Sequence, residues 1–135
     1  MRNAFLNLRA LILSQKSQTP DKVAKILLRN ILKIATAESC TGGLVSSRLT
    51  DVAGSSNYIR ANYVTYSKEA KHNILGVSQE TLDKFGAISP ECAYEMADGL
   101  LKITGSDVVI CTTGVAGPST DECQPVGLMY ACLLY

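Results

Sequence analysis

The sequence contains a single histidine, His72, and no tryptophan. A metal site built from several histidines is therefore excluded, and a Ser-His-Asp triad would have to use His72. Its five cysteines are an odd number at wide spacings, and none forms a C-x-x-C pair. This pattern argues against a structural zinc site and for a reducing compartment. We therefore expect a cytoplasmic protein without a bound metal.

The sequence also has no apolar run near the ~20 residues that cross a bilayer, so no membrane association is expected. Its formal net charge of +1 provides no global field that would recruit nucleic acid. The charge is nevertheless uneven, because residues 1–33 hold seven Lys and Arg against one Asp, which gives 7 − 1 = +6. Residues 1–18 are interpreted as a basic N-terminal helix or arm. Arg9 interrupts what would be the apolar stretch of a signal peptide.

The remaining residues, 19–135, have the composition of one globular domain. Of the 135 residues, 47% are hydrophobic and 19% are charged, which suits a packed core.

The most informative stretch is Thr36 to Gly43, which reads T-A-E-S-C-T-G-G. An apolar run precedes it and a helical pattern follows, so Ser39 is predicted at a strand-to-helix junction. The first N–H groups of the next helix lack internal acceptors and can stabilise developing negative charge. Gly42 and Gly43 carry no Cβ, so a ligand can approach the backbone closely. The alternative is an ordinary glycine-containing turn with a capping side chain.

The helix signals are placed at regular intervals. Thr19-Pro20-Asp21 predicts a helix start, and Asn30 predicts a left-handed stop. Serines are predicted to cap three later helices, each ended by a glycine: Ser67 with Gly76, Ser78 with Gly86, and Ser89 with Gly105.

Strand signals alternate with these helices. Residues 58–66 are rich in β-formers, residues 108–111 (V-V-I-C) predict a strand buried on both faces, and residues 128–135 predict a last strand. The alternation predicts a three-layer α/β/α sandwich with a mainly parallel, or mixed, sheet. Two glycine-bearing loops then lie at the carboxyl ends of strands, where open α/β sheets bind ligands.

The second of these loops, Thr112 to Pro118, offers N–H groups that could hold a phosphate or a ribose. The alternative is a glycine turn between buried elements. Neither loop matches a P-loop or a dinucleotide fingerprint, so neither ATP nor NAD is indicated as a cofactor.

Several motifs in fixed order resemble the CinA C-terminal domain family, whose stand-alone members are nicotinamide-nucleotide amidohydrolases. The resemblance covers about residues 21–135. The motifs are A-E-S-C-T-G-G, L-T-D-V-A-G-S-S, V-T-Y-S-K-E-A-K, L-G-V, G-A-I-S, T-G-V-A-G-P and P-V-G.

The resemblance implies hydrolysis of the carboxamide of nicotinamide mononucleotide, giving nicotinate mononucleotide and ammonia in pyridine-nucleotide salvage, without a cofactor. Ser39 would be the nucleophile, helped by Tyr66 and Lys71. Substrate would contact the two glycine loops through two sets of residues: Cys40, Thr41, Gly42 and Gly43, and Thr113, Gly114, Ala116 and Gly117.

The position of Lys71 supports a role as base. A lysine titrates near ~10.4 unless it is desolvated or close to positive potential. Lys71 would lie in the first turns of the helix that Ser67 caps, where the helix dipole disfavours an ammonium. Without the resemblance, Lys71 is interpreted as an exposed helix lysine and Tyr66 as a core tyrosine at a strand end.

The sequence departs from the family pattern around the site. Lys68 stands where an asparagine is usual, Asn62 where a glycine is usual, and Gln124 where a lysine is usual. Asp121 and Glu122 are expected to repel an anionic nucleotide.

The family also continues through a further strand and helix, whereas this sequence stops at Tyr135. We therefore expect a C-terminally truncated domain that forms a homo-oligomer to cover its open edge. The alternative function is a non-catalytic CinA-like protein that binds a nucleotide or a partner.

Overall fold

The computed structural model describes Ala4–Phe5 and residues 19–135. The prediction of a basic helix or arm lies outside the described residues, except that Ala4–Phe5 form a short strand. The strands are β1 (Ala4–Phe5), β2 (Ile34–Glu38), β3 (Ile59–Val64), β4 (Val108–Gly114) and β5 (Met129–Leu134). The α-helices are α1 (Thr19–Arg29), α2 (Leu44–Thr50), α3 (Lys68–Leu75), α4 (Gln79–Lys84) and α5 (Pro90–Thr104), and Ser55–Asn57 form a 3-10 turn.

The strands form one mixed sheet in the order β1-β5-β4-β2-β3. β2 is central and parallel to both of its neighbours, with Glu38 opposite Val64 of β3 and Thr112 of β4. β5 is antiparallel to β4, and β1 is antiparallel to β5. After β2 the chain forms β3 on one side and later β4 on the other. The carboxyl end of β2 is therefore a topological switch point, where such sheets form a crevice.

Helices cover both faces of the sheet, which confirms the three-layer prediction. On one face, Ala24 and Leu27 of α1 and Leu49 of α2 pack with Ile34 of β2 and with Tyr58. On the other face α5 supplies the largest share of a second core, which also contains residues of β2, β4 and β5: Cys92, Ala93, Met96, Ala97 and Leu100 against Ala35, Ala37, Val109, Cys111, Cys132 and Leu134. Alternate residues of β2 thus enter opposite cores.

The three predicted serine caps are confirmed. The side chains of Ser67, Ser78 and Ser89 accept the backbone N–H of the residue three positions later, at the starts of α3, α4 and α5. Gly76 and Gly105 end α3 and α5 with φ of 71° and 59°, the left-handed conformation that favours glycine. The Ser67 cap fixes the start of α3, and with it the position of Lys71.

The end of α1 differs from the prediction. Ile31, with φ of 57°, is the left-handed residue, and Asn30 is not. The Asn30 side chain instead donates to the Ile26 carbonyl at 2.8 Å, and Leu32 N–H donates to the Leu27 carbonyl at 2.9 Å. This bonding closes the helix one residue later than expected, and it places a β-branched residue in a conformation that it disfavours.

One glycine brings two helices into direct backbone contact. A Cβ on Gly99 of α5 would lie 1.7 Å from the carbonyl oxygen of Leu75, the last residue of α3. Only glycine permits this approach, so Gly99 sets the separation between α3 and α5.

Candidate active site

Ser39 and Lys71 meet at the carboxyl end of β2. Ser39 follows β2 directly, and its backbone N–H donates to the Thr112 carbonyl of β4 at 3.0 Å. The Lys71 Nζ donates to the Ser39 Oγ at 2.9 Å. Both residues are buried, with exposures of 7% for Ser39 and 1% for Lys71. The interpretation of Lys71 as an exposed helix lysine is therefore wrong, because the α3 side chain points into the switch-point crevice.

Two backbone carbonyls orient the Lys71 amine. Its Nζ also donates to the carbonyls of Thr65 at 2.9 Å and Tyr66 at 3.1 Å, which follow β3. Three acceptors satisfy the three N–H bonds of an ammonium. A neutral amine has two N–H bonds, which the two carbonyls can take, and its lone pair then faces the Ser39 hydroxyl. The geometry thus suits Lys71 as a base for Ser39.

Burial lowers the pKa of Lys71, because desolvation penalises its charged form. Negative charge at Cys92, Cys40 and Glu122 would oppose this shift, whereas the positive charge of Lys68 adds to it. The net direction increases the fraction of neutral amine near neutral pH.

Tyr66 contributes differently from the prediction. Its side chain is 71% exposed, so the core-tyrosine alternative is wrong. Within the described part of the chain, its hydroxyl forms no hydrogen bond with Ser39 or Lys71, and only its backbone carbonyl contacts the amine.

The loop after Ser39 holds two N–H groups without an internal acceptor. Gly42 N–H donates to the Ser39 carbonyl at 3.0 Å, and Gly43 N–H donates to the Glu38 carboxylate at 3.1 Å. No carbonyl or carboxylate within the described residues accepts from the backbone N–H of Cys40 or of Thr41. Of the four residues of this loop predicted to contact the substrate, Cys40 and Thr41 therefore keep backbone N–H groups without a carbonyl or carboxylate acceptor among the described residues.

The surroundings of this loop are described by Gly42 and by the Cys40 thiol. Gly42 has φ of 59°, and a Cβ there would meet no atom within 4 Å, so the backbone is open to a ligand. Burial raises the pKa of the Cys40 thiol, while the N–H groups of Cys40 and Thr41 oppose the shift. The N–H groups of Cys40 and Thr41 therefore lie near the Cys40 sulfur.

Glu38 orders the loop that follows Ser39, and the sequence interpretation missed this residue. Its side chain is completely buried and accepts five hydrogen bonds, at 2.5–3.1 Å, from the start of α2 and the preceding loop. The donors are the Thr41 hydroxyl, the N–H groups of Gly43, Val45 and Ser46, and the Ser46 hydroxyl. Burial raises the pKa of Glu38, but the bonds from Ser46 and Thr41 outweigh it and the pKa is lowered.

Glu38 therefore fixes the loop that follows Ser39. The Thr41 hydroxyl, which donates to Glu38, is also 2.8 Å from the Thr112 hydroxyl of β4. The available signal in the sequence is a carboxylate at the end of an otherwise uncharged strand, shortly before hydroxyl residues at a helix start.

In the second glycine loop, Thr113 and Gly114 make contacts within the fold. The Thr113 hydroxyl donates to the Ala87 carbonyl at 2.6 Å. A Cβ on Gly114 would lie 2.4 Å from the Leu128 carbonyl oxygen, so this glycine permits close contact with the approach to β5. The N–H groups of Ala116 and Gly117 have no acceptor among the described residues. Of the four expected contacts, these two keep N–H groups available for a substrate.

Lys68, three residues before Lys71 on α3, forms an ion pair with Glu122. Glu122 also accepts the Ile88 N–H at 3.0 Å. Glu122 is therefore not an isolated negative charge, because it is paired with the Lys68 ammonium and the Ile88 N–H.

The described residues contain no group of three or more His, Cys, Asp or Glu that could hold a metal ion. None of their helices is long and apolar enough to cross a membrane.

A three-layer α/β fold with a buried serine and lysine at its switch point defines the class of this protein. The chain belongs to the CinA C-terminal domain family, whose family model matches residues 16–135.

Two relatives show the extent of the match. The chain is 52% identical over 110 residues to a CinA-like protein of Chlorobium phaeobacteroides, which covers 81% of this chain and 26% of that protein. It is 54% identical over 114 residues to a putative competence-damage inducible protein of Acetivibrio thermocellus, covering 83% and 27%. The chain thus spans about a quarter of the length of these relatives.

Solved structures agree with the fold. The competence damage-inducible protein A (ComA) from Klebsiella pneumoniae superposes with a TM-score of 0.83 at 36% identity, covering 86% of this chain and 73% of that one. The competence/damage inducible protein CihA from Agrobacterium tumefaciens gives 0.83 at 38% identity, covering 86% and 71%.

Proposed function

We propose that this chain hydrolyses the carboxamide of nicotinamide mononucleotide to nicotinate mononucleotide and ammonia. The observation that carries the proposal is the 2.9 Å hydrogen bond between Lys71 Nζ and Ser39 Oγ, in a buried site at the switch point. The geometry supports a serine nucleophile with a lysine base, and the motif resemblance supplies the substrate.

In the first step, neutral Lys71 takes the proton of the Ser39 hydroxyl as Oγ attacks the carboxamide carbon. The N–H groups of Cys40 and Thr41 stabilise the oxyanion, an interaction for which each donor is typically worth ~3 kcal/mol. The Lys71 ammonium then returns its proton to the leaving nitrogen, ammonia departs and an ester to Ser39 remains. The exposed Tyr66 hydroxyl can form a hydrogen bond with the departing ammonia.

In the second step, Lys71 takes a proton from a water that attacks the ester carbon. The Ser39 oxygen leaves, recovers its proton from Lys71, and the carboxylic acid is released. This step uses the same two carbonyls, those of Thr65 and Tyr66, to keep the amine directed at the reacting oxygen.

Ammonia release from nicotinamide mononucleotide tests the proposal. We expect Ser39→Ala and Lys71→Arg each to lower the rate by about 1,000-fold or more, because a guanidinium does not act as a neutral base. Ser47→Ala and Lys25→Arg are matched controls, since both side chains are exposed on helices, and they should keep the wild-type rate.

Ammonia release that persists in both site variants would contradict the mechanism. A folded wild-type chain that binds the nucleotide without releasing ammonia would instead support the non-catalytic alternative.

A further inference from the structure

The Glu122 carboxylate is held as a bound anion would be. Its oxygens contact the Lys68 ammonium and the Ile88 N–H, the latter at 3.0 Å. These are the donors that a phosphate or a carboxylate of a ligand would use. Glu122 reaches them from the loop between β4 and β5 with φ of 47°, a conformation that is uncommon for a residue with a side chain.

Gly86 makes room for this carboxylate. A Cβ at position 86 would lie 2.5 Å from Glu122 Oε2, closer than any real contact. The backbone beside the carboxylate therefore admits an anion only because residue 86 has no side chain.

The position of this carboxylate is next to the reacting pair. Lys68 precedes Lys71 by three residues on α3, so the two side chains share one face of the helix. The Thr113 hydroxyl ties the Ala87 carbonyl to β4, one residue from Thr112, whose carbonyl holds the Ser39 N–H. The charges of Lys68 and Glu122 also act on the pKa of Lys71 in opposite directions.

We propose that Lys68 and the Ile88 N–H form an anion subsite beside Ser39 and Lys71, and that Glu122 fills it and so determines specificity. A phosphorylated substrate has to displace the Glu122 carboxylate, whereas an unphosphorylated amide does not. Glu122 therefore penalises the nucleotide relative to the nucleoside. This inference rests on the proposed function for the identity of the substrate, but not for the existence of the subsite.

Isothermal titration calorimetry with inorganic phosphate and with nicotinamide mononucleotide, at low ionic strength, tests the subsite directly. We expect Glu122→Gln to bind both about 10-fold more tightly than the wild type, because Lys68 then lacks a competing carboxylate. Adding Lys68→Met to Glu122→Gln should cancel the gain. Asp121→Asn is the matched control: it removes a charge from the neighbouring exposed side chain, and affinity should stay within about twofold, because exposed charges are screened.

Phosphate affinity in Glu122→Gln that equals or falls below the wild-type value would overturn the proposal. Lys68→Met alone provides a second test if the glutamine variant does not fold, because it changes an exposed side chain at the start of α3. It should weaken phosphate binding about 10-fold, and unchanged binding would also overturn the proposal.

The titrations with inorganic phosphate do not depend on turnover. A gain in phosphate affinity without ammonia release would support the subsite while the proposed function fails. In an active protein, Glu122→Gln should lower the KM for nicotinamide mononucleotide relative to nicotinamide riboside by the same factor of about 10.

Discussion

The Lys71 Nζ lies 2.9 Å from the Ser39 Oγ, although the two residues are 32 positions apart in the chain. The contact arises because Ser39 ends β2 while Lys71 lies on the helix that follows the neighbouring parallel strand. The carbonyls of Thr65 and Tyr66, in the turn between β3 and α3, direct the amine towards the serine. The Ser39–Lys71 pair is thus assembled by one β-α-β-α stretch.

The lowered pKa of Lys71 predicts the pH dependence of activity. The active form is the neutral amine, so kcat/KM should rise with pH through the lowered pKa of Lys71 and level off below ~10.4, the ordinary value for lysine. Cys92 does not account for such a rise, because burial raises the pKa of its thiol to about 11. Ammonia release measured across pH 6–10 checks the profile; the Cys40→Ala variant should keep its shape, and a flat wild-type profile would contradict it.

Replacing Glu38 by glutamine should destabilise the fold. In the wild type, both carboxylate oxygens of Glu38 accept hydrogen bonds, whereas a glutamine would replace one of these oxygens by an NH2 group that faces donors. We therefore expect a loss of about 3 kcal/mol in the free energy of unfolding. Glu80→Gln, at an exposed position in the first turn of α4, should change it by less than about 0.5 kcal/mol. Urea unfolding at pH 7 measures both.

The stability difference between the wild type and Glu38→Gln should depend on pH. The folded pKa of Glu38 is depressed, so its stabilising contribution is complete above the unfolded value of ~4.3 and is lost as the pH falls through the folded pKa. The difference between wild type and Glu38→Gln should therefore shrink on acidification below about pH 4.3. A difference that grows on acidification would contradict this assignment.

Two buried threonines differ in whether their hydroxyl has a hydrogen-bond partner. The Thr65 hydroxyl is buried and has no partner among the described residues, whereas the Thr113 hydroxyl donates to the Ala87 carbonyl. We expect Thr65→Val to raise the free energy of unfolding by about 1 kcal/mol and Thr113→Val to lower it by about 1 kcal/mol. Denaturant midpoints compare the two, and shifts of the same sign would count against the assignment.

A glycine at position 31 should stabilise the end of α1. Ile31 is 85% exposed and left-handed, so its side chain adds strain and little packing. Ile31→Gly should raise the free energy of unfolding by up to about 1 kcal/mol, because relief of the left-handed strain exceeds the entropy lost by glycine. Ile31→Ala is the control, since it removes the side chain but keeps a Cβ. Thermal melts that rank alanine above glycine would contradict the strain argument.

Local signals in the sequence predicted the helix starts well. Ser67, Ser78 and Ser89 were each placed as caps because a capping serine acts within three residues of itself. The same locality explains the error at Asn30, where the end of α1 is decided by a bond from Leu32 back to the Leu27 carbonyl. A residue preference alone does not reveal which of two neighbours takes the left-handed conformation.

Long-range contacts were harder to predict. The burial of Lys71 depends on how α3 packs over the end of the sheet, and an isolated helix pattern favours an exposed lysine. The pairing of Lys68 with Glu122 joins α3 to a distant loop, and counting charges along the sequence does not reveal it. The motif resemblance predicts that Ser39 and Lys71 lie close together, as their 2.9 Å hydrogen bond shows, but it contains no information on the hydrogen bonds of Glu38.

The direct contact of Gly99 with Leu75 has a consequence for the chemistry. α3 carries both Leu75 and Lys71, so a methyl group at position 99 would shift this helix, and the amine with it, relative to Ser39. A displacement of ~1 Å at a reacting group can reduce a rate by about 100-fold. The distance between the Lys71 amine and the Ser39 hydroxyl therefore depends in part on a glycine of the neighbouring helix α5.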